Sequence, residues 1–112
     1  MSSPQFEAAL VGSTPIFAAL GDATRLHVVS RLAGSGPLSI TQLTEGLEVT
    51  RQAVTKHLTV LAKAGLVRGF RQGREHVWEF EPGQLDEAQR VLQLVSQQWD
   101  DALNRLRRMV EE

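Results

Sequence analysis

Arg51, Gln52, Thr55, Lys56 and Thr59 fall on one side of a helix, opposite the apolar series Val54, Leu58 and Leu61 with Ala53 beside it. Arginine and glutamine can make paired hydrogen bonds to guanine or adenine edges, and short hydroxyls fit close to bases or phosphates. Thr50 stands at the start of this run as its N-cap. Further along, Arg71, Gln72 and Arg74 surround Gly73, a second polar group suited to phosphates or a minor groove. Charge is concentrated in the same stretch. Between Arg51 and His76 six basic residues meet the single acid Glu75, a balance of +5, whereas the rest of the chain holds six basic and twelve acidic residues, −6. The net charge of −1 is thus a cancellation and does not argue against a polyanionic partner. The bland alternative for these cations is a solvated basic face used for protein contacts.

The elements that would carry these residues are marked by caps and turns. Ser3-Pro4 and Thr14-Pro15 each put an oxygen acceptor before a proline, which predicts two helix starts. The first helix is expected to stop near Gly12 and the second, with Ile16, Phe17 and Leu20, near Gly21. Asp22 then caps a third helix with Leu26, Val29 and Ala33 on its inner face, ended by the Gly34–Pro37 loop. Ser39-Ile40-Thr41-Gln42 reads as a capping box opening a helix of about two turns, with Ile40, Leu43 and Leu47 inward. The helix capped by Thr50 runs to Ala64, and Gly65 ends it. Two short helices separated by a few residues make a helix-turn-helix over about 39–64. From 66 to 81 the period becomes strand-like on both sides of Gln72-Gly73-Arg74, which predicts a β-hairpin with Trp78 and Phe80 facing the core.

A last helix is expected over 84–110. Leu85, Ala88, Leu92, Val95, Trp99, Ala102, Leu106 and Met109 alternate at spacings of three and four, while the b and f heptad positions are polar. This is the narrow seam of a helix lying along another helix, and at roughly 40 Å it is long for so small a domain. Part of its length is expected to meet a second subunit. The alternative is that Leu85 to Met109 packs partly on the short N-terminal helix, with its Phe6 and Leu10, within the chain. The fold class expected is mainly α with a small β-hairpin, a winged helix-turn-helix forming one domain over 1–112.

Several chemistries are excluded. With no cysteine there is no disulfide framework, zinc ribbon, iron–sulfur site or thiol nucleophile. The longest apolar run, Ile16–Leu20, is five residues, far below the roughly 20 of a membrane span. A cytoplasmic protein without a membrane partner is expected. His27, His57 and His76 lie on three different elements with no helical i, i+4 pair, so neither a metal site nor any other cofactor is expected. Glu79 and Glu81 share a strand face, read as an exposed hairpin surface rather than an acid–base pair. No nucleophile, phosphate loop or metal set points to an enzyme.

Phe17-Ala18-Ala19-Leu20-Gly21-Asp22-Ala23-Thr24-Arg25, the stretch Leu43–Val49, Val54-Thr55-Lys56-His57-Leu58 with Leu61, and Ala64-Gly65-Leu66-Val67 together resemble the ArsR/SmtB group of winged-helix repressors. The likeness is close over about residues 16–81. It implies a homodimer on a double-stranded DNA operator, with dimer contacts from the first helix, at Phe6 and Leu10, and from the last helix. His57 matches a histidine frequent in the family's recognition helix, where it packs at the flank or touches phosphate. The departures are informative. Where thiophilic-metal sensors of the family carry a Cys-x-Cys pair, this chain has Ser39 and Thr41, and its last helix has no histidine. Metal sensing is therefore not expected. Glu48 stands where the family commonly has a turn glycine, with Gly46 two positions earlier, so a shifted turn is expected.

The function expected from these features is sequence-specific DNA binding by a dimeric transcriptional repressor whose effector is open. Two rivals are a protein-interaction module on a winged-helix scaffold and a repressor controlled by a small non-metal ligand in the dimer groove near Trp99.

Overall fold

The computed structural model describes residues 4–111. Five helices and three short strands follow in the order α1 (Pro4–Leu20), α2 (Ala23–Ser35), β1 (Leu38–Ser39), α3 (Ile40–Thr44), α4 (Arg51–Lys63), β2 (Val67–Gln72), β3 (Glu75–Phe80) and α5 (Pro82–Glu111). Val28, Leu32, Leu43, Val54, Leu58, Leu61 and Leu66 form the centre of the core, all essentially inaccessible to solvent. It is built where α2, α3 and α4 meet the inner face of the sheet.

The N-terminal region is one helix, not the two expected. Pro15 sits inside α1, where its missing N–H leaves the Val11 carbonyl without a helical partner. Val11 is 72% exposed, so water can serve that carbonyl, and the Thr14 hydroxyl donates to the Leu10 carbonyl at 3.3 Å. Packing of Ser13, Ile16 and Ala19 in the interior holds the helix together past both Gly12 and Pro15. The Ser3 cap proposed for its start lies outside the described residues. In α2 the buried positions are Val28, Val29 and Leu32, while Leu26 and Ala33, expected inward, are exposed. Asp22 caps it as expected, accepting from the Arg25 N–H at 3.0 Å.

The capping box at Ser39 and Gln42 is complete on both sides, at 3.1 Å and 2.8 Å. The helix it opens is five residues, shorter than two turns, and Leu47 reaches the core from the following turn. Thr50 accepts from the Ala53 N–H at 3.1 Å and starts α4. The hairpin is the expected one, with Gly73 at φ 65° at its tip. It is joined by β1, a strand too short to leave a period in the sequence, giving an antiparallel sheet of order β1-β3-β2.

Directly opposed residues share a sheet face, so the register sorts the hairpin's side chains. Val67, Gly69 and Arg71 lie on one face with Phe80, Trp78 and His76; Arg68, Phe70 and Gln72 lie on the other with Glu79, Val77 and Glu75. The Trp78 ring needs the gap left by Gly69. A Cβ at that position would stand 2.9 Å from Trp78 and 2.8 Å from His76 Nε2, and the His76 ring lies 4.7 Å from the indole.

Helix α5 leaves the domain. Ala88 and Val91 are buried and Leu85 packs on the core, mostly against α1, but residues 96–111 are all exposed. The molecule measures 67 × 28 × 20 Å with a radius of gyration of 18.4 Å, against about 13 Å for a compact chain of this length.

Candidate nucleic-acid interface

Helix α4 buries Val54, Leu58 and Leu61 and turns Arg51, Gln52, Thr55, Lys56 and Thr59 to solvent, with no acid in its sequence. Arg51, Gln52, Thr55 and Lys56 line one shallow surface depression. The Thr55 and Thr59 hydroxyls donate to the Arg51 and Thr55 carbonyls at 2.9 Å. Their protons are therefore spent inside the helix, and what they offer outward is an acceptor lone pair and a methyl group. Thr50 is exposed at the helix start, its oxygen already accepting from Ala53.

Arg71, Gln72 and Arg74 are exposed at the hairpin tip. The structure separates them from Arg68, which the charge count in the sequence treats alike. The Arg68 guanidinium is hydrogen-bonded to Glu79 and lies 3.2 Å from Glu81, and these carboxylates raise its pKa above the ordinary arginine value. Arg71 and Arg74 have no ion-pair partner among the described residues. Glu79 and Glu81, read as solvated acids, thus neutralise the hairpin's inner cation and leave the tip positive. Arg51 is brought to the same place, since it shares a cavity with Arg71 and Arg74.

His57 is not on the outward row. Its ring is half-buried, with Nδ1 3.4 Å from Arg25 Nη1 and 4.0 Å from Asp22 Oδ1. Arg25 in turn donates to the Ala19 carbonyl at 2.6 Å and the Ala18 carbonyl at 3.4 Å, closing the end of α1. The Arg25 N–H held by Asp22 keeps that carboxyl below its usual pKa, against the opposing effect of desolvation, with His57 and Arg25 adding weaker attraction.

Arg31 is the main positioning residue that local pattern misses. Its guanidinium donates to the carbonyls of Leu43 (3.0 Å), Gln42 (3.2 Å) and Glu45 (3.3 Å), gathering the end of α3 and the turn that leads to α4. The turn before α4 has its left-handed residue at a glycine. Gly46 takes φ 84°, and no described non-glycine residue, Glu48 included, has positive φ.

The long helix divides the expected dimer residues. Leu85 is held by its own core and Val95 is half-buried, whereas Leu92, Trp99, Ala102, Leu106 and Met109 are exposed, Trp99 by 70%. Leu103 and Val110 are exposed beside them, so the apolar stripe is broader than the narrow a/d seam suggested. Phe6 is half-buried on α1 and Leu10 exposed. Among the described residues no group of three or more His, Cys, Asp or Glu side chains could hold a metal ion. No helix there is long and apolar enough to cross a membrane.

Residues 20–69 match the family model described as a helix-turn-helix domain. The uncharacterized HTH-type transcriptional regulator YuzN of Bacillus subtilis is 42% identical over 71 residues, 58% of this chain and 77% of that protein. The arsenic resistance transcriptional regulator ArsR1 of Pseudomonas putida is 31% identical over 67 residues, 60% of this chain and 52% of its own length. An ArsR-like transcriptional regulator from Rhodococcus sp. RHA1 superposes with a TM-score of 0.76 at 31% identity, covering 91% of this chain and 95% of the other.

Proposed function

This chain belongs to the ArsR-type helix-turn-helix transcriptional regulators, and from that membership we propose that it acts in the cytoplasm as a homodimeric repressor on a roughly palindromic operator. Regulators of this family bind DNA and are not enzymes. In this reading Arg51, Gln52, Thr55 and Lys56 meet base edges and adjacent phosphates in the major groove, with Thr50 and Thr59 at the margins of the contact. Arg71, Gln72 and Arg74 reach the backbone or minor groove beside it. His57 acts from behind the helix, by bracing α4 against Arg25 and Asp22.

The observation that carries the dimer is the free half of α5. Trp99, Leu103, Leu106, Met109 and Val110 form an exposed apolar stripe on a helix of about 45 Å. A second copy of the same helix, with α1 alongside, offers the same stripe and buries both by two-fold symmetry. That symmetry would set two recognition helices one DNA turn, about 34 Å, apart.

Selection of bound DNA from a random pool, followed by sizing of the complex, tests the reading in one experiment. Inverted half-sites one turn apart and two chains per duplex are expected. A dimer with no sequence preference would overturn it in favour of a protein-interaction module.

A further inference from the structure

Between the hairpin tip and the start of α4 lies a cavity of about 250 Å³ lined by Ser39, Thr41, Arg51, Arg71, Arg74 and Glu75, with His76 at its side. Three arginines and a single acid, Glu75, thus share its wall. None of the three arginines has an ion-pair partner among the described residues, unlike Arg68 and Arg90, which are matched with glutamates. The Ser39 side chain is nearly buried; its oxygen accepts from the Gln42 N–H, which leaves its proton to donate. Thr41, exposed beside it, lines the same wall.

We propose that this cavity is a binding site for a phosphoryl group, held by Arg51, Arg71 and Arg74 and oriented by the Ser39 and Thr41 hydroxyls. Arginines from α4, β2 and the hairpin turn that line one cavity suit a tetrahedral oxyanion with several acceptor oxygens, since each planar guanidinium can donate to it from a different side. The repulsion among three unpaired cations is relieved when a dianion enters. Two sources carry this chemistry: a phosphate of the DNA backbone, and a free phosphate or phosphate ester. Because the cavity borders the surface of Arg51, Gln52, Thr55 and Lys56, a free phosphoryl ligand would compete with DNA. This second consequence, unlike the site itself, rests on the DNA-binding reading above.

The test uses the full chain and inorganic phosphate, titrated against chloride at constant ionic strength, with arginine Nε–H resonances as the readout. Saturable shifts confined to Arg51, Arg71 and Arg74 are expected, and the double variant R71Q/R74Q should weaken them about tenfold or more while its circular dichroism stays native. Shifts that never saturate, or that are equal at Arg105 and Arg107 of α5, would overturn the site. A second arm follows operator binding in phosphate and in chloride. Stronger loss in phosphate identifies the backbone phosphate as a competing occupant, and equal loss leaves the cavity to a free oxyanion. Absence of DNA binding alongside saturable phosphate binding would remove the DNA reading and leave the site standing.

Discussion

Arg31 fixes the turn that leads into α4 without lying on that helix's outward row. Its three bonds to the carbonyls of Gln42, Leu43 and Glu45 close the end of a five-residue helix that has little stability of its own. Replacement by methionine keeps most of the stem but leaves those carbonyls without the cation. Arg31→Met should cost about 1–3 kcal/mol in chemical denaturation, with DNA affinity falling as α4 loses its fixed angle. Residues proposed to touch DNA directly should behave differently. Gln52→Ala should change base preference by about 1–3 kcal/mol at one position of the half-site, whereas Arg74→Ala should weaken all sequences alike. Binding assays on a panel of single-base operator variants separate the two. Arg31 was invisible to local pattern because its partners lie 11 to 14 residues away, whereas Gln52 was legible from helical spacing alone.

At the scale of elements, caps and turn glycines were the most readable features. Asp22, Ser39, Thr50 and Gly65 stand where helices begin or end because each supplies a local hydrogen bond or a local backbone angle. Asp22 also ties stability to pH. Its folded pKa is depressed, so its contribution is present above the unfolded carboxylate pKa and is lost as pH falls through the lower folded value. Asp22→Asn retains an N-cap acceptor without the titrating charge, so acid unfolding should be less steep over that range, measured by circular dichroism against pH. The helices whose fate depends on distant packing carry local signals that mislead. Thr14-Pro15 has the local signature of a helix start, yet burial of Ser13, Ile16 and Ala19 carries α1 through it. In α5 the heptad pattern gave the stripe but not its division into an inner half on α1 and an outer half facing solvent. Leu106→Glu, in the outer half, should shift the dimer to monomer in sedimentation equilibrium while leaving the core and the far-UV spectrum unchanged. A variant that stays dimeric would show that the outer stripe is not the interface.

For the whole molecule, the decisive quantities are shape and charge placement. The outer half of the 30-residue helix α5 projects from the core domain and leaves apolar area in water. A dimer that neutralises about three phosphates per subunit should show log affinity falling with log salt at a slope of about −5 to −6. Titrating potassium chloride in a fluorescence anisotropy assay checks this, and a flat response would sink the interface. The basic stretch and acidic remainder were countable from the sequence, as were the helix-turn-helix, the hairpin and the outward row on α4. These depend on neighbours within a turn or two, where spacing and physical environment coincide. Only the tertiary structure decided that Arg68 is matched by Glu79 and Glu81, that His57 turns inward to Arg25 and Asp22, and that Arg51 meets Arg71 and Arg74 around one cavity. Those relations join residues far apart in the chain, and sheet register and helix packing, not sequence distance, determine which charges are cancelled and which remain free for a partner.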